Sequence, residues 1–386
     1  MELRGRRIHI AGSAALASTP EIVRYAGDLV RGLVLELGSG GGAFVIMVGR
    51  EPSQDDAEPP ERPIVFDWTV LETMVLLDEQ GSLDRSAFPS VIAVVTTKTD
   101  KQIPNWRREL WRTSLERGLL QLAYIEPDWT SAAIRRNRAA HVGDLLICVG
   151  GGEGVHHLAR EYAELGKPVV PLDLDPGGST EAGPSTSAAL HKRALADPGT
   201  YFNSGEADGG AALLTRTKTD GVKVGVGSVA RAVADLIRSL AQPSAFLVRM
   251  LDTKDPQLTA VDRFFAKVVV PVVRELGYDP IVMGEGRTDS LWMNVDIFER
   301  LSRCQMAVVD ITGLRNNCFM ELGYAYGRGL RVLLTGEAAT RAPFDATMIE
   351  RHVWSAEFTA AVEIKQFRDY CRRHPAGLPL VASVRL

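Results

Sequence analysis

Three polar side chains fall close together in the stretch "MAVVDITGLRNNCFMELGYAYGRG" (residues 306–329): Asp310, Asn317 and Glu321. Cys318, Phe319, Leu322, Ala325 and Tyr326 recur at helical spacing and form an apolar stripe. Glu321 lies at the edge of that stripe, about 100° from its centre. Asp310 ends an apolar run that reads as a strand, and Asn316 or Asn317 is the expected N-cap of the following helix. Ligands of open α/β sheets sit beyond the carboxyl ends of the strands, so the three residues are expected to converge on one pocket. The helix dipole would help keep Glu321 ionised, by roughly 0.3–1 kcal/mol. An ionised carboxylate in a half-apolar pocket suits a reaction that develops positive charge. Cleavage of an N-glycosidic bond is such a reaction, because it passes through an oxocarbenium-like sugar. The carboxylate could stabilise that charge or attack the anomeric carbon, while a second carboxylate or an amide holds the ribose hydroxyls. The plain alternative is that Glu321 complements the helix dipole and Asp310 caps a loop.

A second constellation has the chemistry of phosphate binding. "DLLICVGGGEGVHHLAREYAEL" places Gly150, Gly151, Gly152 and Gly154, with Glu153 among them, between a strand and a helix. Glycines allow close backbone approach, and a helix start offers N–H groups to an anion. "IAGSAA" (Ile10–Ala15) makes a second small-residue turn, through Gly12 and Ser13, at the same expected sheet edge. "IRRNRAAHV" puts Arg135, Arg136 and Asn137 on the helix entering the Gly-rich strand, and arginine suits phosphate. A solvated basic helix face explains those arginines equally well. His156 and His157 are adjacent and point apart on a helix, so no metal pair is expected.

Short apolar runs position these residues. "RIHIAG", "AFVIMVG", "VIAVVTT", "DLLICVG" and "PVVPLD" alternate with amphipathic segments such as "TPEIVRYAGDLVRGLVLEL". The runs are rich in Val and Ile and do not alternate with polar residues, as in strands buried on both faces of a parallel sheet. The fold class predicted is therefore α/β: two doubly wound, mostly parallel-sheet domains of Rossmann-like or flavodoxin-like type. The first spans residues 1–243, with a long Gly/Ser-rich loop over about 175–221 that contains one short helix near Ala188–Ala196. The pattern restarts after Pro243 and runs through residues 244–386.

Composition removes several classes of function. Net charge is −4 and the pI about 6.0, which gives no electrostatic footprint for nucleic acid or an anionic membrane. The four cysteines show no paired or metal-type spacing, which points to a reducing, cytoplasmic setting without a zinc site. No apolar run approaches the roughly 20 residues of a membrane span.

The stretch "MAVVDITGLRNNCFMELGYAYGRGLRVLL" resembles the nucleoside 2-deoxyribosyltransferase family and its TIR-like relatives, in which a strand ending in Asp leads through a Gly/Asn loop to "ELG-x-A". The resemblance covers most of residues 244–354. It implies that Glu321 is the catalytic carboxylate, that Asp310 and Asn317 match the family's strand-end Asp and loop amide, and that Arg249 and Asp345 bind substrate. Family members act at the C1′–N bond of nucleosides or nucleotides, and TIR-like members cleave the nicotinamide bond of NAD. The loop here reads "GLRNN" where a Pro frequently precedes the Asn.

The set "RRN…GDLLICVGGGEGV" resembles the SLOG superfamily, which includes lonely-guy phosphoribohydrolases and DNA-processing relatives. The family pattern is an Arg-Asn pair, a strand, and P-G-G-x-G-T-x-x-E. Gly151, Gly152 and Gly154 match its glycines, whereas Val155 stands at its Thr and Leu158 at its catalytic Glu. The resemblance implies a nucleotide pocket that binds without turnover, using Gly12, Ser13, Arg136, Asn137, Gly151, Gly152, Glu153 and Gly154. "FDWTVLETM" (Phe66 to Met74) also fits SLOG variants found beside NAD-consuming domains in bacterial defence proteins.

Together these readings imply a ligand-gated effector. The first domain would sense a nucleotide second messenger, of cyclic ADP-ribose type or a cyclic nucleotide. The second would cleave an N-glycosidic bond of NAD or a related nucleotide, as substrate and with no cofactor, in a homo-oligomer acting in anti-phage defence. Two rivals stand beside it: a constitutive deoxyribosyltransferase or nucleotide hydrolase of metabolism, and a non-catalytic protein with two nucleotide pockets.

Overall fold

A computed structural model describes residues 3, 6–15, 17–49, 64–83, 90–125, 132–177, 186–202, 207–240, 243–282, 297–298, 300–301, 304–374 and 377. The chain forms two compact units, Met1–Ala241 and Gln242–Leu386. Each is built on one parallel sheet flanked by helices, so the α/β class and the two-sheet, Rossmann-like architecture read from the sequence hold.

The first unit runs β1 (Arg7–Ser13), α1 (Pro20–Ser39), β2 (Ala43–Ile46), α2 (Phe66–Glu79), β3 (Val91–Val95), α3 (Thr99–Gln102), α4 (Arg108–Glu116), β4 (Leu120–Tyr124), α5 (Ala132–Val142), β5 (Leu145–Gly150), α6 (Glu153–Glu164) and β6 (Val169–Pro171). The strand order is β4-β3-β2-β1-β5-β6, with every pairing parallel. The chain winds outward from β1 to β4 and then restarts at β5 on the other side of β1. The direction of winding therefore reverses between β1 and β5, and beyond their carboxyl ends a crevice opens where such sheets bind ligands.

Alternation along β1 divides the two faces. Ile8 and Ile10 enter the large apolar core with α1 and α2 residues such as Leu33, Val34 and Leu71, whereas His9 turns toward α5 and α6. At the amino-terminal edge of the sheet, Asp144 accepts from the Arg7 backbone N–H, Nε and Nη2, at 2.9, 3.1 and 2.6 Å. The Lys167 Nζ donates to the carbonyls of Ala140, His141 and Gly143. These contacts lock the start of β1 to the start of β5.

The stretch expected to be a long loop with one short helix is different. It carries α7 (Thr186–Ala196), α8 (Pro198–Phe202) and α9 (Ala207–Thr215) before α10 (Val226–Ser239), which packs on α1. Leu190, Ala194, Phe202 and Leu214 are buried, and the last three join the core. α7 is the short helix expected near Ala188–Ala196; α8 and α9 are the additions, too short and too poor in apolar positions to show a helical period.

The second unit runs β7 (Ser244–Val248), α11 (Leu258–Phe264), a π-helical turn (Phe265–Val269), α12 (Val270–Glu275), β8 (Asp279–Val282), β9 (Met306–Asp310), α13 (Asn316–Gly327), β10 (Arg331–Glu337), α14 (Phe344–Thr347), β11 (His352–Trp354) and α15 (Ala360–Arg373). Its order is β11-β10-β9-β7-β8, again all parallel. Winding reverses here between β7 and β9, which brings Arg249, just past β7, and Asp310 to the same end of the sheet.

All four cysteines are free and buried. Among the described residues no helix is long and apolar enough to cross a membrane, and no cluster of His, Cys, Asp and Glu could hold a metal.

Candidate functional site

The β1–β5 switch point holds a cavity of about 250 Å³. Gly12 and Ser13 from β1, Gly152 and Gly154 from the turn into α6, Arg135 and Arg136 from α5, and Asp67 from α2 all line it. Its remaining walls include His9, Met47, Val155 and Leu158.

The turn is built from backbone. Gly150 and Gly151 both adopt left-handed conformations, with φ of 67° and 77°, which side-chain-bearing residues rarely take. The Gly151 N–H donates to the Ser13 and Gly177 carbonyls at 3.0 and 2.9 Å, and the Gly150 N–H donates to the Ser187 hydroxyl at 2.8 Å. Gly152 then serves as N-cap of α6, and no side chain caps it. The start of α6 thus faces the cavity without a side-chain cap, while Glu153 lies on its exposed side.

Arg136 sits over that helix start. A Cβ on Gly154 would stand 3.4 Å from its Nη1, and no acidic side chain pairs with it among the described residues. A guanidinium and a helix N-terminus on one cavity wall form a receptor for an anion. Arg135 is tied back, donating to the Val48 carbonyl at 2.8 Å, and burial lowers its pKa. Asp67 is buried beside it and accepts from the Met47 N–H at 2.6 Å. Burial raises the Asp67 pKa, against the pull of that hydrogen bond and of Arg135.

Of the residues expected here, Gly12, Ser13, Arg136, Gly152 and Gly154 line the cavity, and Gly151 shapes the turn behind it. Asn137 does not: its amide donates to Glu161 at 2.7 Å on the exposed side of α5, because the residue after Arg136 points about 100° around the helix. Glu153 is exposed on the first turn of α6 and is not part of the lining. Leu158 stands in the wall where the resemblance would put a catalytic Glu, and it is 1% exposed. The sequence reading missed His9 and Asp67, which come from elements far from the glycine turn. The signal for His9 was available: a lone polar residue between Ile8 and Ile10 must face away from the core they share.

In the second unit the three expected residues do not act as one set. Asp310 is fully buried. Its Oδ1 accepts from the Thr312 N–H at 3.0 Å, and its Oδ2 accepts from the Thr335 hydroxyl at 2.7 Å and the Trp354 Nε1 at 2.9 Å. It therefore ties the ends of β9, β10 and β11 together and offers no surface to a ligand. Asn317 is exposed on the first turn of α13. The N-cap is Arg315 rather than Asn316 or Asn317, and its guanidinium pairs with Asp252 at 3.1 Å and with Asp255.

Glu321 is 7% exposed and makes no hydrogen bond to a described residue. Burial pushes its pKa up to about 7. Desolvation thus outweighs the helix dipole, which was expected to keep it ionised. Cys318, one turn earlier, is pushed up to about 12 by burial first and then by the nearby Glu321 and Asp310 carboxylates. Arg249 pairs with Asp262 of α11 and lies 6.0 Å from the Phe265 ring centroid. The Asp345 side chain lies outside the described residues.

The family model falls on the unit that holds the cavity. A stretch of 195 residues is 23% identical to a protein named ATP nucleosidase Cap17 from Escherichia coli (strain KTE188), and to one of the same name from Escherichia coli. It makes up 50% of this chain but 37% of those relatives, so the match reaches little more than a third of their length. A solved structure, the C-terminal domain of glucosamine-fructose-6-phosphate aminotransferase from Francisella tularensis, is 13% identical across 97% of this chain and 84% of its own, with a TM-score of 0.20. That score carries no likeness of fold or function. The family model described as "ATP nucleosidase Cap17-like, N-terminal" matches residues 3–224, every strand of the first sheet included, and the chain belongs to that family.

Proposed function

We propose that this protein is a nucleotide N-glycosidase with two nucleotide sites: a binding cleft at the β1–β5 switch point and a cleaving site around Glu321. The observation that carries the reading is the pairing of Arg136 with the uncapped start of α6, which makes the cleft a receptor for a phosphate group. The names of the relatives favour ATP over NAD as the first substrate to test. In its ionised form Glu321 stabilises the oxocarbenium-like sugar as the base departs, and burial strengthens that interaction. Occupation of the cleft by a signal nucleotide gates cleavage, which requires tighter binding to the active state than to the inactive one. The setting is anti-phage defence in the cytoplasm, and the working form is a homo-oligomer.

A specific observation favours a second reading. Asp67 is a buried carboxylate with a raised pKa in the wall of the anion cleft, within the segment that the family model matches. Such a group could itself assist cleavage of a nucleotide held there. One experiment separates the two. The pure chain, its Glu321→Gln variant and its Asp67→Asn variant are incubated with ATP or NAD, with and without cyclic nucleotides and cyclic ADP-ribose, and the released base is separated by chromatography. Loss of release in Glu321→Gln alone supports the two-site reading. Loss in Asp67→Asn alone moves the chemistry to the cleft. Wild-type chain that releases no base under any condition refutes both.

A further inference from the structure

The wall of the cleft contains a hydrogen-bond acceptor with nothing to accept. His9 is fully buried, in the middle of β1, and is one of the residues around the cavity. Its Nδ1 lies 3.2 Å from the Tyr162 hydroxyl. That hydroxyl has one hydrogen, and donates it to the Ala139 carbonyl at 3.1 Å. With its hydrogen given to that carbonyl the hydroxyl accepts from His9, an arrangement in which the imidazole carries its proton on Nδ1. Burial also pushes the His9 pKa down, to about 3, so the ring is neutral. A neutral ring protonated on Nδ1 leaves Nε2 with a bare lone pair. That atom is buried and has no partner among the described residues. The neighbourhood is shaped around the relay: a side chain on Gly143 would collide with the Tyr162 hydroxyl.

We infer that His9 Nε2 accepts a hydrogen bond from the amino group of a nucleobase whose phosphates lie at Arg136 and the start of α6. The inference rests on the reading of the cleft as a nucleotide site. Two features argue for a base amine. An acceptor that cannot release a lone pair to any protein donor selects a ligand with an N–H or O–H, and rejects a carbonyl oxygen in the same place. Gly12, beside the glycine turn, lies three steps along the strand from His9, about 10 Å at the usual rise. That span suits the reach from a 5′-phosphate to the far edge of a base better than the shorter reach to the sugar hydroxyls. The cleft would then prefer adenine-type over hypoxanthine-type nucleotides.

The test is site-local nitrogen NMR on the full chain carrying Glu321→Gln, so that turnover does not interfere. The His9 ring signals are identified by their loss in His9→Phe, or by their displacement in Tyr162→Phe should the first variant fail to fold. The free protein should show the Nδ1–H tautomer. ATP should move the Nε2 signal, whereas purine riboside triphosphate, which lacks the amine, should leave it in place and bind about five-fold more weakly, the equivalent of roughly 1 kcal/mol for one neutral hydrogen bond. A proton found on Nε2, or equal movement with both nucleotides, overturns the inference. A response confined to the loss of a ribose hydroxyl, seen with 2′- or 3′-deoxyATP, overturns the assignment to the base. Calorimetric binding of ATP that leaves His9 unmoved sinks this inference while the nucleotide reading of the cleft survives if Arg136→Ala weakens that binding. No binding of any triphosphate, cyclic nucleotide or cyclic ADP-ribose refutes that reading and the inference with it.

Discussion

Replacing Glu321 by Gln should abolish base release and at the same time stabilise the folded chain. In the structure Glu321 is 7% exposed, without a hydrogen bond to a described residue, and its pKa rises from 4.5 to about 7. Below pH 4.5 the carboxyl is protonated whether the chain is folded or not, and it costs nothing. Between pH 4.5 and 7 the unfolded chain has lost the proton while the folded chain still holds it, so stability falls as pH rises. Above about pH 7 the folded carboxylate is charged and the cost is complete. At 1.36 kcal/mol per pH unit that window amounts to about 3 kcal/mol, which we take as an upper bound. A neutral amide of the same shape escapes the cost. The gain in stability of Glu321→Gln over wild type should therefore be at least about 1 kcal/mol larger at pH 8 than at pH 4.5. Urea unfolding of both chains at the two pH values measures it directly. A gain that is equal at both, or that shrinks toward high pH, would refute the picture of a desolvated carboxylate and the mechanism built on it.

Four further outcomes follow from the geometry. Base release by wild-type chain should rise with pH through about 7, as Glu321 ionises, in a pH–rate profile taken at saturating signal nucleotide. Arg136→Ala should weaken triphosphate binding about ten-fold or more in calorimetry and flatten its salt dependence, because a charged contact to phosphate is lost. Asp310→Asn should destabilise the chain by roughly 1–3 kcal/mol in urea unfolding whether or not it alters catalysis, since an amide cannot accept from all three donors in place. Asn317→Ala, at an exposed position, should change stability by less than about 0.5 kcal/mol, so a shift in KM there would report contact with substrate alone.

The strands were legible in the sequence because burial on both faces removes polar residues from them: "VIAVV", "LLICVG" and "MAVVD" can hardly be anything else. The glycine turn was legible because only its backbone geometry matters, and backbone geometry is written in residue type. What could not be read were the partners. Asp310 at a strand end looks the same whether it meets a sugar or meets Thr335 and Trp354, which lie 25 and 44 residues away. Glu321 was correctly placed at the edge of an apolar stripe, but its desolvation depends on what packs over the helix. Asp67 enters the cleft from α2, and nothing local to "FDWTV" says that the chain between β2 and α2 returns it to the sheet edge. Within 186–215 the helix near Ala188–Ala196 was legible and is α7, whereas α8 and α9 were hidden because short helices with few apolar side chains have no period to detect.

The three donors gathered by the Asp310 carboxylate have an evolutionary corollary. Thr312 opens the loop toward the Glu321 helix, Thr335 belongs to the neighbouring strand, and Trp354, stacked on Phe264 at 4.6 Å between centroids, belongs to the strand beyond. Replacing Thr335 or Trp354 leaves a fully buried carboxylate short of a donor, whereas the Thr312 donor is backbone and survives a change of side chain. Positions 310, 335 and 354 should therefore drift together among homologues rather than one at a time. A lineage that changes the strand-end acid would carry compensating changes two strands away, at residues that touch neither substrate nor signal.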